Sequence, residues 1–359
     1  MFSPSLPAVF HSGPGLATSA THSVSSAPRV AGLPFSTPEQ MIASMRAGLP
    51  RFDIDAMTRA GTALRAGSGP TSASAIGFFL PHAKVTPPQL IAALRRIDVG
   101  GVVRAGITPT AIFDFDNTII GGDVFRDFVA LLLTRAVLPQ ANAERVAKLL
   151  VDVSAGKVSA CALEGQSTND IVARALRMTE TDSLSLAHVF FVVIGSLAGV
   201  NESKLTAVAD ELFNKGMPGK PRYRTRFFGR PGADVATMMR TLAQKGVHSH
   251  IITLGLPTVA REGAKILGIP PHRVHGFELE VVNGVCTGRA IDARLVGKHR
   301  VADLLVSPRP LFVSGDSVGS DTPMLARATV KAFAVDPDKE FLAHIEKNNS
   351  DVTVLTYKG

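Results

Sequence analysis

With 359 residues, 45% of them apolar, the chain is long enough to bury a sizeable core, either as two domains or as one large α/β domain carrying an insertion. Cys161 and Cys286 are its only cysteines, which excludes a disulfide framework and a multi-cysteine zinc site and suits a reducing compartment. The net charge of +8 is local: residues 1–105 hold nine Lys/Arg against four Asp/Glu (+5) and residues 218–230 hold five basic residues and no acid (+5), leaving −2 for the remainder.

In chain order, residues 1–37 have no acidic side chain and are rich in Ser, Thr, Pro, Ala and Gly, a composition that predicts a disordered leader. No Lys or Arg precedes an apolar run there, and Arg29 alone is too little for a transit peptide, so neither a Sec-type signal nor an organelle-targeting segment is expected. Residues 38–105 read as a helical N-terminal extension beside the main body of the chain. Its helical patches, 38–47 and 87–97, are separated by the Gly/Ser/Pro-rich run 66–74.

From residue 106 the pattern changes to short apolar runs that end in polar residues and alternate with helical stretches. That pattern predicts an α/β fold, a Rossmann-like parallel sheet with helices on both faces. Run 111–113 leads into Asp114, 250–252 into Thr253, and 311–313 into Ser314-Gly315-Asp316. In open α/β sheets ligands sit outside the carboxyl ends of the strands, where these polar groups can meet. The core is expected over 106–122 and 227–359, and residues 123–226, rich in helix formers, as an inserted, mainly helical cap domain. Within the cap, 184–200 is almost wholly apolar and slightly short for a bilayer span, which needs roughly 20 residues; a buried helix is expected, and no stable membrane span. Later, Gly246 is placed to end a helix over 233–245, a helix follows Thr253, and Asn283-Gly284 predicts a tight hairpin turn between 277–282 and 285–290.

Asp114-Phe115-Asp116-Asn117-Thr118 carries the chemistry. On an extended strand end Asp114 and Asp116 project to one side and Phe115 to the other, so one carboxylate can attack phosphorus while the other, protonated, donates to the leaving group. Thr118 or Thr253 offers a hydroxyl to a phosphate oxygen, and Lys298 an ammonium to cancel its charge. Asp316 and Asp321 supply hard oxygen ligands suited to Mg²⁺. Asp123 is placed either to touch substrate or to cap the helix starting at Val124.

With these elements in this order, residues 108–335 resemble the haloacid dehalogenase superfamily of phosphohydrolases. The inserted helical cap and the hairpin over 276–289 are similar to the phosphoserine-phosphatase branch. The resemblance implies that Asp114 forms an aspartyl-phosphate, that Asp116 acts as acid and then base, and that Thr253 and Lys298 hold phosphate. It further implies that the Asp114 carboxylate, the Asp116 carbonyl and Asp316 bind magnesium, and that the substrate is a small phosphomonoester. The branch usually has Glu nine residues after the nucleophile, where this chain has Asp123, and Ser-Gly-Gly where it has Thr253-Leu254-Gly255. Phosphoserine itself is therefore not implied.

The basic residues Lys220, Arg222, Arg224, Arg226 and Arg230 read as a solvated linker or as a device that steers anions into the cleft. Tyr223, Phe227 and Phe228 give too thin an aromatic complement for base stacking, so nucleic acid is not the expected partner. A cytoplasmic enzyme is expected. The alternative is an effector exported by a non-Sec route, or an interaction protein whose phosphatase or phosphotransferase core acts on a protein or lipid.

Overall fold

A computed structural model describes residues 84–96, 99–100, 109–181, 183–217, 235–290, 297–306, 310–348 and 351–356. The expected leader, the helix over 38–47, the run 66–74 and the basic segment 218–230 lie outside them. All the described residues belong to one compact unit, Pro34–Gly359.

Seven parallel strands make the main sheet: β1 (Lys84–Val85), β2 (Thr110–Phe113), β3 (His248–Ile252), β4 (Val274–His275), then β7 (Phe312–Gly315), β8 (Lys331–Val335) and β9 (Val352–Leu355). They are ordered β1-β9-β8-β7-β2-β3-β4. All five residues of β8 are buried, as expected where helices cover both faces. Alternate residues enter different cores. Ala111, Phe113, Phe312 and Phe333 join one apolar cluster, whereas Ile112, Val313, Ala332 and Ala334 join a second with Met324 and Phe341. The α/β expectation, with helices on both faces, therefore holds.

Between β2 and β3 the chain inserts α2 (Val124–Thr134), α3 (Ala143–Val153), α4 (Thr168–Glu180), α5 (Leu186–Ser196) and α6 (Glu202–Lys215), a mainly helical region preceding α7 (Val235–Gln244). Polar side chains start α2, α4, α5 and α6 by satisfying backbone N–H groups that have no partner within the helix. Ser167 and Asp170 form a reciprocal capping box at α4, Ser185 caps α5, and Asn201 caps α6. The apolar stretch over 184–200 contains α5, whose residues Val189, Val192, Val193 and Ile194 are fully buried and which packs against α3 and α4. Among the described residues no helix is long and apolar enough to cross a membrane.

The hairpin of β5 (Leu279–Val282) and β6 (Val285–Ala290) turns through Asn283 and Gly284, with φ of 51° and 77°. Both angles are positive, as the tight turn needs. The hairpin belongs in sequence to the core yet bonds to the insertion: Cys286 N–H donates to the Val200 carbonyl (2.8 Å) and Gly199 N–H to the Cys286 carbonyl (2.8 Å). Arg145 of α3 donates to the Gly288 carbonyl at 2.7 Å.

The stretch 84–96 is part of the fold itself. Strand β1 pairs with β9, and α1 (Pro87–Arg96) buries Leu90, Ile91 and Leu94 and packs against α7.

Candidate active site

Strands β7, β2 and β3 are neighbours, with β2 in the middle. Parallel pairing aligns their carboxyl ends, so Asp114, Thr253 and Asp316, distant in sequence, emerge side by side. The Asp114 N–H donates to the Ser314 carbonyl at 3.0 Å, which extends the β2/β7 ladder into the site. The chain then turns through Asn117, whose φ of 55° lies in the left-handed region that asparagine tolerates. The Asn117 side-chain oxygen accepts from Gly122 N–H at 3.0 Å.

Lys298 opens α9 (Lys298–Val301) and is 3% exposed. Its Nζ lies 2.6 Å from Asp114 Oδ1 and 2.6 Å from Asp321 Oδ1. Burial opposes the ammonium charge, but Asp114 and Asp321 outweigh it and hold the lysine well above its ordinary pKa. Burial also raises Asp114; Lys298 opposes that shift, and Asp321 and Asp316 reinforce it. With Asp114 ionised, two carboxylates around one ammonium leave a net negative charge in a buried place, which a further cation would offset.

Asp321 is fully buried and saturated with donors. Besides Lys298, it accepts from the N–H groups of Asp316 and Ser317, each at 3.0 Å, and from the hydroxyls of Ser317 (3.0 Å) and Ser320 (3.2 Å). A Cβ on Gly315 would lie 2.6 Å from the Asp321 side chain, so only glycine lets that carboxylate fold under the turn.

Asp116 accepts from Val124 N–H at 2.8 Å, at the start of α2. Burial, and secondarily the charge of Asp123, push its pKa up to about 8, which favours the protonated carboxyl that an acid catalyst needs. Asp316 is raised to about 6 by burial and by Asp321. Asp123 is the N-cap of α2, accepting from Arg126 N–H at 3.0 Å. Thr118 donates to Asp316 at 3.4 Å, and Thr253 Oγ1 accepts from Gly255 N–H at 2.9 Å.

These groups meet at a cavity of about 530 Å³, whose wall includes Asp114, Asp116, Asp123, Lys298 and Asp316. Thr253 lies in an adjoining recess with Asp116; Thr118 and Asp321 are buried. Carboxylate oxygens of Asp114, Asp316 and Asp321 lie within 4.8 Å of one another, a hard-donor cluster that fits a divalent cation. The sequence reading missed the apolar side of the cavity, formed by Phe125, Phe190 and Phe277. It also missed the serines that secure Asp321. Apolar runs signal burial whether the buried face meets protein or ligand, and a serine in a turn has no distinguishing spacing.

The sheet, the acid pair at the end of its central strand and the buried lysine define a hydrolase-type α/β fold with a helical insertion. The chain belongs to the haloacid dehalogenase-like hydrolase family, whose model matches residues 111–326. Among solved structures it is similar to a Bordetella pertussis Tohama I protein of unknown function, at 16% identity and a TM-score of 0.45 over 69% of this chain and 98% of that one. It is also similar to a phosphoserine phosphatase solved as a phospho-aspartyl intermediate analogue, at 14% identity and a TM-score of 0.38 over 69% and 93%. A third is a conserved protein of unknown function from Anaerococcus prevotii DSM 20548, at 14% identity and a TM-score of 0.44 over 69% and 85%. No curated protein matches the chain.

Proposed function

We propose that the protein is a magnesium-dependent phosphomonoester hydrolase that works through an aspartyl-phosphate on Asp114. The observation that carries this reading is the placement of Asp114, 2.6 Å from the Lys298 ammonium, and Asp116, a carboxyl whose pKa burial raises, on the same cavity wall. Asp114 Oδ attacks phosphorus, the bond from phosphorus to the ester oxygen breaks, and Asp116 gives its proton to the departing alcohol. Asp116, now a carboxylate, takes a proton from water, and that water releases phosphate from Asp114. Lys298 offsets charge on the transferring group, and the Thr253 and Thr118 hydroxyls are its candidate hydrogen-bond donors.

Asp114, Asp316 and the Asp116 carbonyl are the groups for magnesium, which when bound supplies positive charge against phosphate and nucleophile. Asp321 already accepts five hydrogen bonds, so we assign it to holding Lys298 and the turn around Asp316 instead of contacting the cation directly. Asp123 remains both a cap and a group at the substrate's edge of the cavity.

Phosphate release from a panel of phosphomonoesters with Mg²⁺ tests the reading. Asp114→Asn should abolish turnover with an unchanged circular dichroism spectrum, and EDTA should abolish it reversibly. Substantial magnesium-dependent hydrolysis by Asp114→Asn would refute the assignment.

A further inference from the structure

The cavity lining carries two chemistries: the acids with Lys298, and the aromatic rings Phe125, Phe190, Phe191 and Phe277. Phe190 of α5 stands between Phe125 of α2 and Phe277 of the core, with ring centroids 5.0 and 4.6 Å away. The wall is thus built jointly by the helical insertion and the core. Among the described residues, the large apolar side chains left exposed are Leu186, Leu254, Val282 and Val285. Leu186 and Leu254, 38% and 42% exposed, both line this cavity. These leucines add exposed apolar surface to the same lining as the buried rings, the kind of surface that an apolar ligand would cover.

The polar inventory points the same way. Among the described lining residues the cationic side chain is Lys298, already shared by two carboxylates. The imidazole of His299 is held toward its neutral form by burial, with Arg327 adding to the effect, and among the described residues no arginine lines the cavity. A phosphorylated amino acid would bring a carboxylate with no cation to meet it among these described groups, since Asp123 could meet only its ammonium. An apolar alcohol needs no such partner, because binding sites recognise it by area with few polar groups.

We infer that the substrate is a phosphomonoester whose alcohol carries an apolar, ring-sized body and no carboxylate, seated on Phe125, Phe190 and Phe277 with Leu254 at the entrance. The inference rests on the phosphatase reading and specifies its substrate class.

The test compares 2-phenylethyl phosphate, ethyl phosphate and O-phospho-L-serine, all phosphates of primary alcohols, so that differences in kcat/KM report binding of the alcohol. The magnesium-loaded full-length protein should prefer 2-phenylethyl phosphate over each of the others by roughly 10- to 100-fold, the range that apolar contacts supply. Phe190→Ala should reduce the preference over ethyl phosphate about tenfold on that basis. Because Phe190 is buried, Leu254→Ser supplies a second variant at an exposed position, expected to lower the same ratio by a few-fold. Hydrolysis of ethyl phosphate without a phenylethyl preference, a preference for phosphoserine, or a ratio unmoved in both variants overturns the substrate class and leaves the phosphatase reading standing. Failure to hydrolyse any of the three overturns both.

Discussion

At the scale of residues, the tightest constraint falls on Asp321. Its carboxylate is ringed by donors: Lys298 and Ser320 on Oδ1, and Ser317 with the N–H groups of Asp316 and Ser317 on Oδ2. In Asp321→Asn one oxygen becomes an NH₂ group. Turned one way it faces the ammonium, and turned the other it faces two backbone N–H groups that cannot rotate away. The variant should lose about 2–4 kcal/mol of stability, the cost of a buried donor facing donors beside a disturbed ion pair, read as a shift in the urea midpoint. An unchanged midpoint would show that the carboxylate does not hold this turn. That Asp114, Asp116 and Asp316 would meet was legible in the sequence, because polar residues that end neighbouring parallel strands emerge together, and the motif order added Lys298, which lines the same cavity. The donors around Asp321 were not, since five bonds gathered from three residues and a lysine leave no spacing to read.

Among elements, the site depends on how closely α8 (Pro257–Ile266) approaches β2 and α6. Gly263 lies in α8, where glycine is about 1 kcal/mol worse than alanine. Sequence propensity alone therefore recommends alanine. The structure reverses the sign: a Cβ there would sit 2.6 Å from the Phe115 ring and 2.8 Å from the Phe213 ring. Both rings are nearly fully buried and lie 6.3 Å apart, leaving no room to move. Phe115 joins Asp114 to Asp116, so displacing its ring tilts both carboxylates. Gly263→Ala should cost about 1–3 kcal/mol by overpacking and lower kcat more than KM, because the substrate wall is elsewhere. Equal or higher thermal stability with full kcat would refute the close-packing account. The strands were readable where apolar runs ended in polar residues, and the hairpin where Asn-Gly marked it. The bonding of that hairpin to the helical insertion was not readable, since backbone pairing across a long sequence separation carries no side-chain signature.

For the molecule as a whole, the described sheet begins at Lys84, earlier than the change of pattern at 106 suggests. Strand β1 has two residues, too few for an alternating pattern, so nothing in the sequence tied 84–96 to the sheet. Parallel pairing of Lys84 and Val85 with Val354 and Leu355 covers the edge of β9, which would otherwise present unpaired N–H and C=O groups. Leu90, Ile91 and Leu94 are at most 4% exposed. At about 1.5–3 kcal/mol for each buried side chain, an upper estimate, their loss is on the order of 5 kcal/mol, comparable to the whole stability of a marginal domain. The effect would reach the site, because α1 packs on α7 and α7 feeds β3, at whose end Thr253 stands. A chain starting at residue 105 should therefore melt at least about 10 °C lower than the full chain or aggregate through the bared edge, while one starting at residue 80 should match the full chain in Tm and in kcat/KM. Both are checked by thermal circular dichroism, gel filtration and phosphate release. If the chain starting at 105 kept full stability and activity, β1 and α1 would be an accessory, and the core would begin where the pattern changes. If instead it failed while the chain starting at 80 worked, loss of activity on truncation at 105 would report a broken sheet and would say nothing about a role for residues 1–79.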